Sequence, residues 1–121
     1  MPFERFTHVG KSYRPKISIR SNGQIGFNFG AIERFSLSKF QYAVLYYDQE
    51  SKRVGIQLTG NKDEEGACTL RVKNGNASIA AKSFLDYYSI NYSKTMRFDA
   101  SWDEKEEMII ATIIKDRKSV V

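Results

Sequence analysis

The stretch KISIRSNGQIGF, residues 16–27, decides the fold of this chain. Apolar and polar residues alternate on both sides of Asn22-Gly23, which is typical of strands that bury one face. An Asn-Gly pair between two alternating runs is a strong signal for a β-hairpin, because both residues tolerate a positive φ. We therefore predict a strand over residues 16–20, with its two isoleucines inward, and a second strand over residues 24–28.

The same pattern recurs further along the chain. Residues 70–75, LRVKNG, alternate in the same way and also end in Asn-Gly. Each half later passes a charged turn and ends in an apolar strand. These matches indicate an internal duplication, with repeat units at about residues 14–58 and 67–114. After the glycines, an offset of 52 residues carries Ile25 onto Ala77, Phe27 onto Ile79, Ile32 onto Phe84, Phe35 onto Tyr87, Phe40 onto Tyr92, Val44 onto Met96 and Tyr46 onto Phe98.

Each repeat unit reads as two strands, a short helix and two more strands. In the first unit we predict the helix over residues 30–35 and the later strands over residues 42–48 and 54–58. The second unit supplies a helix over residues 81–88 and four more strands. We predict a β-dominated α+β protein, a single domain over residues 1–121. Its tandem, pseudo-symmetric ββαββ units close into a small β-barrel, because closure removes exposed strand edges.

This order of strand, glycine turn, strand, short helix and charged hairpin resembles the AbrB/SpoVT swapped-hairpin module. The presence of two such units in one chain is similar to the MraZ-type arrangement. The resemblance covers most of the chain and is one of architecture. It implies a barrel that binds DNA, as in transition-state regulators and in the antitoxins of toxin–antitoxin pairs.

The charge of the chain is positive and unevenly distributed. The 121 residues include 19 Lys and Arg and 14 Asp and Glu, for a net charge of +5. Residues 1–57 hold nine Lys and Arg against four Asp and Glu, whereas residues 58–114 hold seven against nine. A basic surplus permits an anionic partner, and here it is concentrated in the first half.

Candidate nucleic-acid-binding residues follow from this charge distribution. Cations along a strand can track phosphates, and a tyrosine among them can stack on a base. Arg20 and Lys73 would form a two-fold related pair under the predicted symmetry, as a reader of duplex DNA requires. The full set of candidates is Lys11, Tyr13, Arg14, Lys16, Arg20, Arg71 and Lys73. The other reading of the same cations is an ordinary solvated surface that discourages edge pairing.

A second function remains open from the sequence. The acidic second half and exposed aromatic residues fit a non-catalytic protein-interaction or structural module, such as an accessory protein of a phage or mobile element. In the pair Tyr46-Tyr47 we expect one ring inward and Tyr47 outward. Catalysis is not predicted, because the single histidine, His8, and the single cysteine, Cys68, lack partners for general acid–base or nucleophilic chemistry.

The cellular setting is predicted from what the sequence lacks. No apolar run reaches the length of a membrane span, and the first residues lack the apolar stretch of a signal peptide. A lone cysteine forms no internal disulfide. We therefore predict a cytoplasmic protein with no cofactor, metal or membrane partner. Its expected partner is duplex DNA or another protein, and the sequence leaves its oligomeric state open, a homodimer included.

Overall fold

The computed structural model of the protein describes residues 2–7, 9, 13–73 and 75–113. These residues form nine strands, two short helices and one 3-10 turn. In chain order the elements are β1 (Lys16–Ile19), β2 (Gln24–Phe27), α1 (Phe29–Arg34), the 3-10 turn (Leu37–Lys39), β3 (Tyr42–Asp48), β4 (Arg53–Thr59), β5 (Cys68–Lys73), β6 (Asn76–Ala80), α2 (Lys82–Tyr87), β7 (Met96–Asp99), β8 (Ser101–Asp103) and β9 (Met108–Thr112).

The nine strands form one antiparallel sheet in the order β7-β1-β2-β6-β5-β3-β4-β9-β8. The two ends of this order, β7 and β8, are consecutive in the chain and are separated only by Ala100. One bent stretch therefore pairs with β1 on one side and with β9 on the other, so the sheet nearly closes into a barrel. The prediction of a β-dominated, barrel-like fold is confirmed.

The bend at Ala100 corrects one expectation. The second half was expected to supply four strands, and it supplies five, because its third strand is divided into β7 and β8. Ala100 is buried, and its backbone N–H donates to the carbonyl of Pro15 at 3.0 Å. A bend that changes pairing partners depends on contacts with distant strands, which the local pattern of alternating residues does not encode.

The first hairpin forms as its sequence dictates. Ile17 pairs with Phe27 and Ile19 with Ile25, and the three isoleucines are fully buried. The turn closes through the N–H of Gly23, which donates to the carbonyl of Arg20 at 2.9 Å. Gly23 has a φ of +89°, which a glycine adopts without strain.

Helix α1 is short, and its start is fixed by Asn28. The side-chain Oδ1 of Asn28 accepts from the N–H of Ala31 at 2.9 Å and from the N–H of Lys16 at 3.0 Å, and its Nδ2 donates to the carbonyl of Arg14. An asparagine cap of this kind stabilises a helix by about 1 kcal/mol. Asn28 thereby joins the start of α1 to β1.

The core lies inside the sheet and is closed by the helices. It consists of aliphatic and aromatic side chains from both halves, and none of the buried side chains in the described residues is polar. Leu85 of α2 is fully buried, and Ala31 and Ile32 of α1 are buried as well. No helix in the described part of the chain has the length and apolar character needed to cross a membrane.

The orientation of the adjacent tyrosines on β3 is opposite to the one expected. Tyr46 is the outward ring, 44% exposed, and its hydroxyl donates to Oε1 of Gln57 at 2.8 Å. Tyr47 points inward and is packed against the core. The reason is the strand phase: the buried Ala43 directs the odd-numbered residues of β3 inward.

Candidate nucleic-acid interface

The outward side chains of five neighbouring strands form a continuous surface. Pairing aligns one residue from each of β7, β1, β2, β6 and β5 in a single row across the sheet. This row is Arg97, Ser18, Gly26, Ser78 and Arg71. It begins and ends in an arginine, and the three residues between them are small.

Three more cations flank this row. Lys16 and Arg20 lie on either side of Ser18 on β1, and Lys73 lies beside Arg71 on β5. We call the set Lys16, Arg20, Arg71, Lys73 and Arg97 the basic face. Among the described outward residues of these five strands, Asp99 is the only acid.

Arg20 lies flat on the middle of this face. Its Nη1 donates to Oε1 of Gln24 at 3.2 Å, and its guanidinium covers Gly26. A Cβ at Gly26 would collide with that guanidinium, so the glycine allows the arginine to cross the sheet. The result is a cation held close to the backbone at the centre of the face.

Asp99 organises the cations at the β7 edge. Its Oδ1 is 2.9 Å from Nζ of Lys16 and 3.5 Å from Nε of Arg14. The hydrogen bond from Lys16, followed by the charges of Arg14 and Lys16, lowers the pKa of Asp99 below its ordinary value. Because both ion pairs are largely exposed, they orient the cations more than they stabilise the fold.

A small cavity of about 190 Å³ opens in the basic face. It is lined by the cations Lys16, Arg20 and Arg97 and by Ser18, Phe27, Asn28 and Asn76. Cationic and amide donors around a shallow cavity suit an oxyanion such as a phosphate group. The cations around this cavity are therefore chemically suited to an anion.

The structure brings together four of the seven candidate residues: Lys16, Arg20, Arg71 and Lys73. Arg14 lies at the edge, paired with Asp99. The ring of Tyr13 packs edge-on against Phe29 at 5.2 Å, and desolvation, followed by the charge of Glu33, raises the pKa of Tyr13. Lys11 lies outside the described residues.

Arg97 is the residue of the basic face that the sequence reasoning missed. The signal was present, since Arg97 lies between the apolar residues Met96 and Phe98 and an alternating strand therefore directs it outward. The alternating pattern does not specify the register in which β7 pairs with β1. Only the pairing of Arg97 with Ser18 places it on the same face as the cations of β1.

A separate polar cluster links α2 to the segment that follows it. The hydroxyl of Tyr92 donates to Asp86 at 2.7 Å, and Nζ of Lys82 contacts both Tyr92 and Asp86, at 3.0 and 3.2 Å. Hydrogen bonds with Tyr92 and Asp86 raise the pKa of Lys82, and hydrogen bonds from Tyr92 and Lys82 lower that of Asp86. Lys82 thus stays charged, which suits a structural clamp and not a nucleophile.

The described residues contain no cluster of side chains suited to a metal site. No group of three or more His, Cys, Asp and Glu side chains there could hold an ion. Cys68 is partly buried, and desolvation raises the pKa of its thiol, which reduces its reactivity.

Comparisons of the chain with models of protein families, with curated proteins and with solved structures found no match. The function of the chain is therefore inferred from the geometry of the basic face.

Proposed function

We propose that this chain is a non-catalytic, regulatory or antitoxin-like DNA-binding protein that contacts duplex DNA through the basic face. One observation supports the proposal: among the described residues, five cations from β1, β5 and β7 share the outer side of the sheet with a single acid, Asp99. Lys and Arg that neutralise phosphates release counterions from DNA, and this release supplies most of the affinity of a sequence-independent contact.

The dimensions of the face support a duplex partner. Arg97 and Arg71 lie four strands apart in the central row, which corresponds to roughly 19 Å measured along the curved sheet at a strand spacing of ~4.8 Å. That distance exceeds the width of the major groove, about 12 Å. The two arginines can therefore approach the phosphate backbones on both sides of a groove, while the guanidinium of Arg20, which covers Gly26, provides a cation between them.

Equivalent pairings in the two halves support the tandem ββαββ arrangement that we include in this proposal. The hairpin β1–β2 has its counterpart in the hairpin β5–β6. In the first half, β3 pairs with β4 and with β5. In the second half, the stretch of β7 and β8 does the same, because β8 pairs with β9 and β7 pairs with β1. Exchanging the halves thus returns the same sheet neighbours. An axis between β2 and β6 would relate Arg20 to Lys73.

The two charged hairpins support the same arrangement. Oδ1 of Asp48 accepts from two backbone N–H groups in the β3–β4 turn, and Oδ1 of Asp103 does the same in the β8–β9 turn. Each turn then contains a residue in the left-handed region, Lys52 with a φ of 57° and Glu107 with a φ of 58°. Two hairpins built on the same device are expected of repeated units.

A titration of the protein into a fluorescent DNA duplex tests the proposed function. Anisotropy at ~50 and ~200 mM salt should show binding that weakens about 10²- to 10³-fold, because each neutralised phosphate adds about 0.9 to the slope of log affinity against log salt. A single-stranded oligonucleotide of the same sequence provides the comparison for duplex shape. Absence of binding at the lower salt concentration contradicts the proposal.

The alternative, a protein-interaction module, is favoured by a different part of the molecule. Phe3, Phe6 and Trp102 are large apolar residues that remain 85%, 63% and 43% exposed. Co-purification of a defined protein partner by a chain that has no affinity for DNA would favour this alternative.

A further inference from the structure

The corner at α2 is filled by three aromatic rings. Tyr47 of β3 lies 5.0 Å from Tyr88 and 6.2 Å from Phe84, measured between ring centroids, and Phe84 lies 5.3 Å from Tyr88. These distances are those of edge-on and tilted pairs, which add to the energy of burying the rings. The α2 corner is thus closed by side chains of its own.

The corner at α1 contains an equivalent pair of rings. Phe35 follows α1 as Tyr88 follows α2, so its counterpart by position is Tyr88 and not Tyr87, the residue that the offset of 52 predicts. Phe35 lies 6.3 Å from Trp102 of β8. Beside this pair a cavity of about 660 Å³ opens, which Phe40 and Leu58 also line. We call this cavity the α1 pocket. Its mouth carries one cation, Arg34, and one anion, Glu104.

The segment over residues 3–6, which we call the arm, contains two phenylalanine rings that are more than half exposed. Phe3 is 85% exposed, and Phe6 is 63% exposed although its ring contacts Tyr13. Glu4 and Arg5 stand between the two rings. Large apolar side chains that remain this exposed mark an interaction surface.

We propose that the arm of a second copy of this chain inserts a phenylalanine ring into the α1 pocket. The inserted ring would pack beside Phe35 and Trp102, as Phe84 packs beside Tyr47 and Tyr88. Charges at the mouth match those of the arm, because Glu4 can pair with Arg34 while Arg5 pairs with Glu104. Mutual exchange of arms gives a closed dimer.

This inference is independent of DNA binding, since the arm, the pocket and its mouth share no residue with the basic face. Trp102 is the only tryptophan in the sequence, so its fluorescence reports directly on the α1 pocket. Sedimentation and Trp102 emission should both change over a protein concentration range of ~1 to ~300 µM, the range in which a small interface with aromatic anchors associates.

A double variant of the arm and a single control variant separate the arm from other exposed aromatic residues. The double variant F3A/F6A should remain a monomer, with dimer affinity reduced at least about tenfold and with a red-shifted Trp102 emission. The control Y87A removes a ring on α2 that is 80% exposed and should dimerise as the parent chain does. A peptide of residues 2–7, PFERFT, should bind F3A/F6A and reverse the emission shift.

A charge exchange tests the pairing at the mouth of the pocket. R34E should weaken dimerisation, and adding E4R to R34E should restore it. A parent chain that stays monomeric throughout the concentration range overturns the proposal. The proposal is also overturned if the parent chain is monomeric and its Trp102 emission still differs from that of F3A/F6A, because the pocket would then hold the arm of its own chain.

Discussion

The two outer faces of the barrel-like sheet differ in charge although both are built from alternating strands. The basic face on β7, β1, β2, β6 and β5 exposes five cations and Asp99. The opposite surface, on β3, β4, β9 and β8, exposes Asp48, Arg53 and Asp103 beside Tyr46 and Met108. We call this second surface the hairpin face. Asp48 and Arg53 pair with each other at 3.4 Å.

This difference shows that charge in this protein is distributed by face and not by position along the chain. Residues 1–57 hold the excess of cations and residues 58–114 an excess of acids. Arg71, Lys73 and Arg97 nevertheless come from the acidic half and join Lys16 and Arg20 on the basic face. The pairing of β2 with β6 brings the two halves together at this surface.

Charge reversal on the basic face should have the largest effect on DNA affinity. The variant R71E/R97E changes the two ends of the central row and should weaken duplex binding about a hundredfold at ~50 mM salt. Anisotropy titration measures the loss. The control K52E/K105E makes the same change in net charge on the turns of the hairpin face, and its duplex binding should weaken by less than about tenfold. Equal losses would show that only net charge matters.

A smaller effect is expected from a matched pair of glycine substitutions. In G26A the new Cβ displaces the guanidinium of Arg20, which should weaken DNA binding by about fivefold, equal to ~1 kcal/mol. In G55A, on the hairpin face, the new Cβ instead lies 2.9 Å from Cε of Met108, which also ends a flexible side chain. Affinity should be unchanged in G55A. Thermal unfolding of both variants serves as the control for stability.

Removing an acid from each face should give a still smaller change, in the opposite direction. D99N removes the only acid of the basic face and should tighten DNA binding about two- to threefold, because Arg14 and Lys16 lose their competing partner. D48N on the hairpin face removes one negative charge as well and should leave affinity within about twofold of the parent. Weaker binding by D99N would mean that Asp99 positions the two cations for DNA.

The smallest predicted effect concerns the pH dependence of stability. The pKa of Asp99 is lowered in the folded protein, so its ion pairs contribute stability that is complete above the ordinary aspartate range and is lost as the pH falls through the lowered value. Urea unfolding between roughly pH 6 and pH 2.5 should therefore be less steeply pH-dependent in D99N than in the parent. The pKa of Asp48 is lowered as well, chiefly by hydrogen bonds from Ser51, so D48N should show a similar reduction. An unchanged profile in D99N would contradict this assignment.

Local sequence predicted those parts of the fold that depend on neighbouring residues. Asn22-Gly23 and the alternating isoleucines predicted the first hairpin, and β3 has the predicted bounds of Tyr42–Asp48. The division of the third strand at Ala100 was not predictable, because it depends on the contact with Pro15 and on pairing with β1 and β9. Those partners are distant in sequence, and alternation alone does not select them.

The candidate site could be predicted in part for the same reason. Alternation directed Lys16, Arg20, Arg71 and Lys73 outward, and the structure places them on one face. Arg97 joins them only through the register of β7 with β1. Tyr13 was assigned to the same surface because it lies between cations in the sequence, whereas its ring packs against Phe29.

An NMR titration of the labelled protein with a DNA duplex tests the central claim most directly. At ~50 mM salt, where phosphate contacts are strong, the amide shifts that move should map to β7, β1, β2, β6 and β5 and should centre on Gly26 and Ser78. Amides of β3, β4, β9 and β8 should move little. Shifts concentrated on the hairpin face, or no shifts at this salt concentration, would contradict the account.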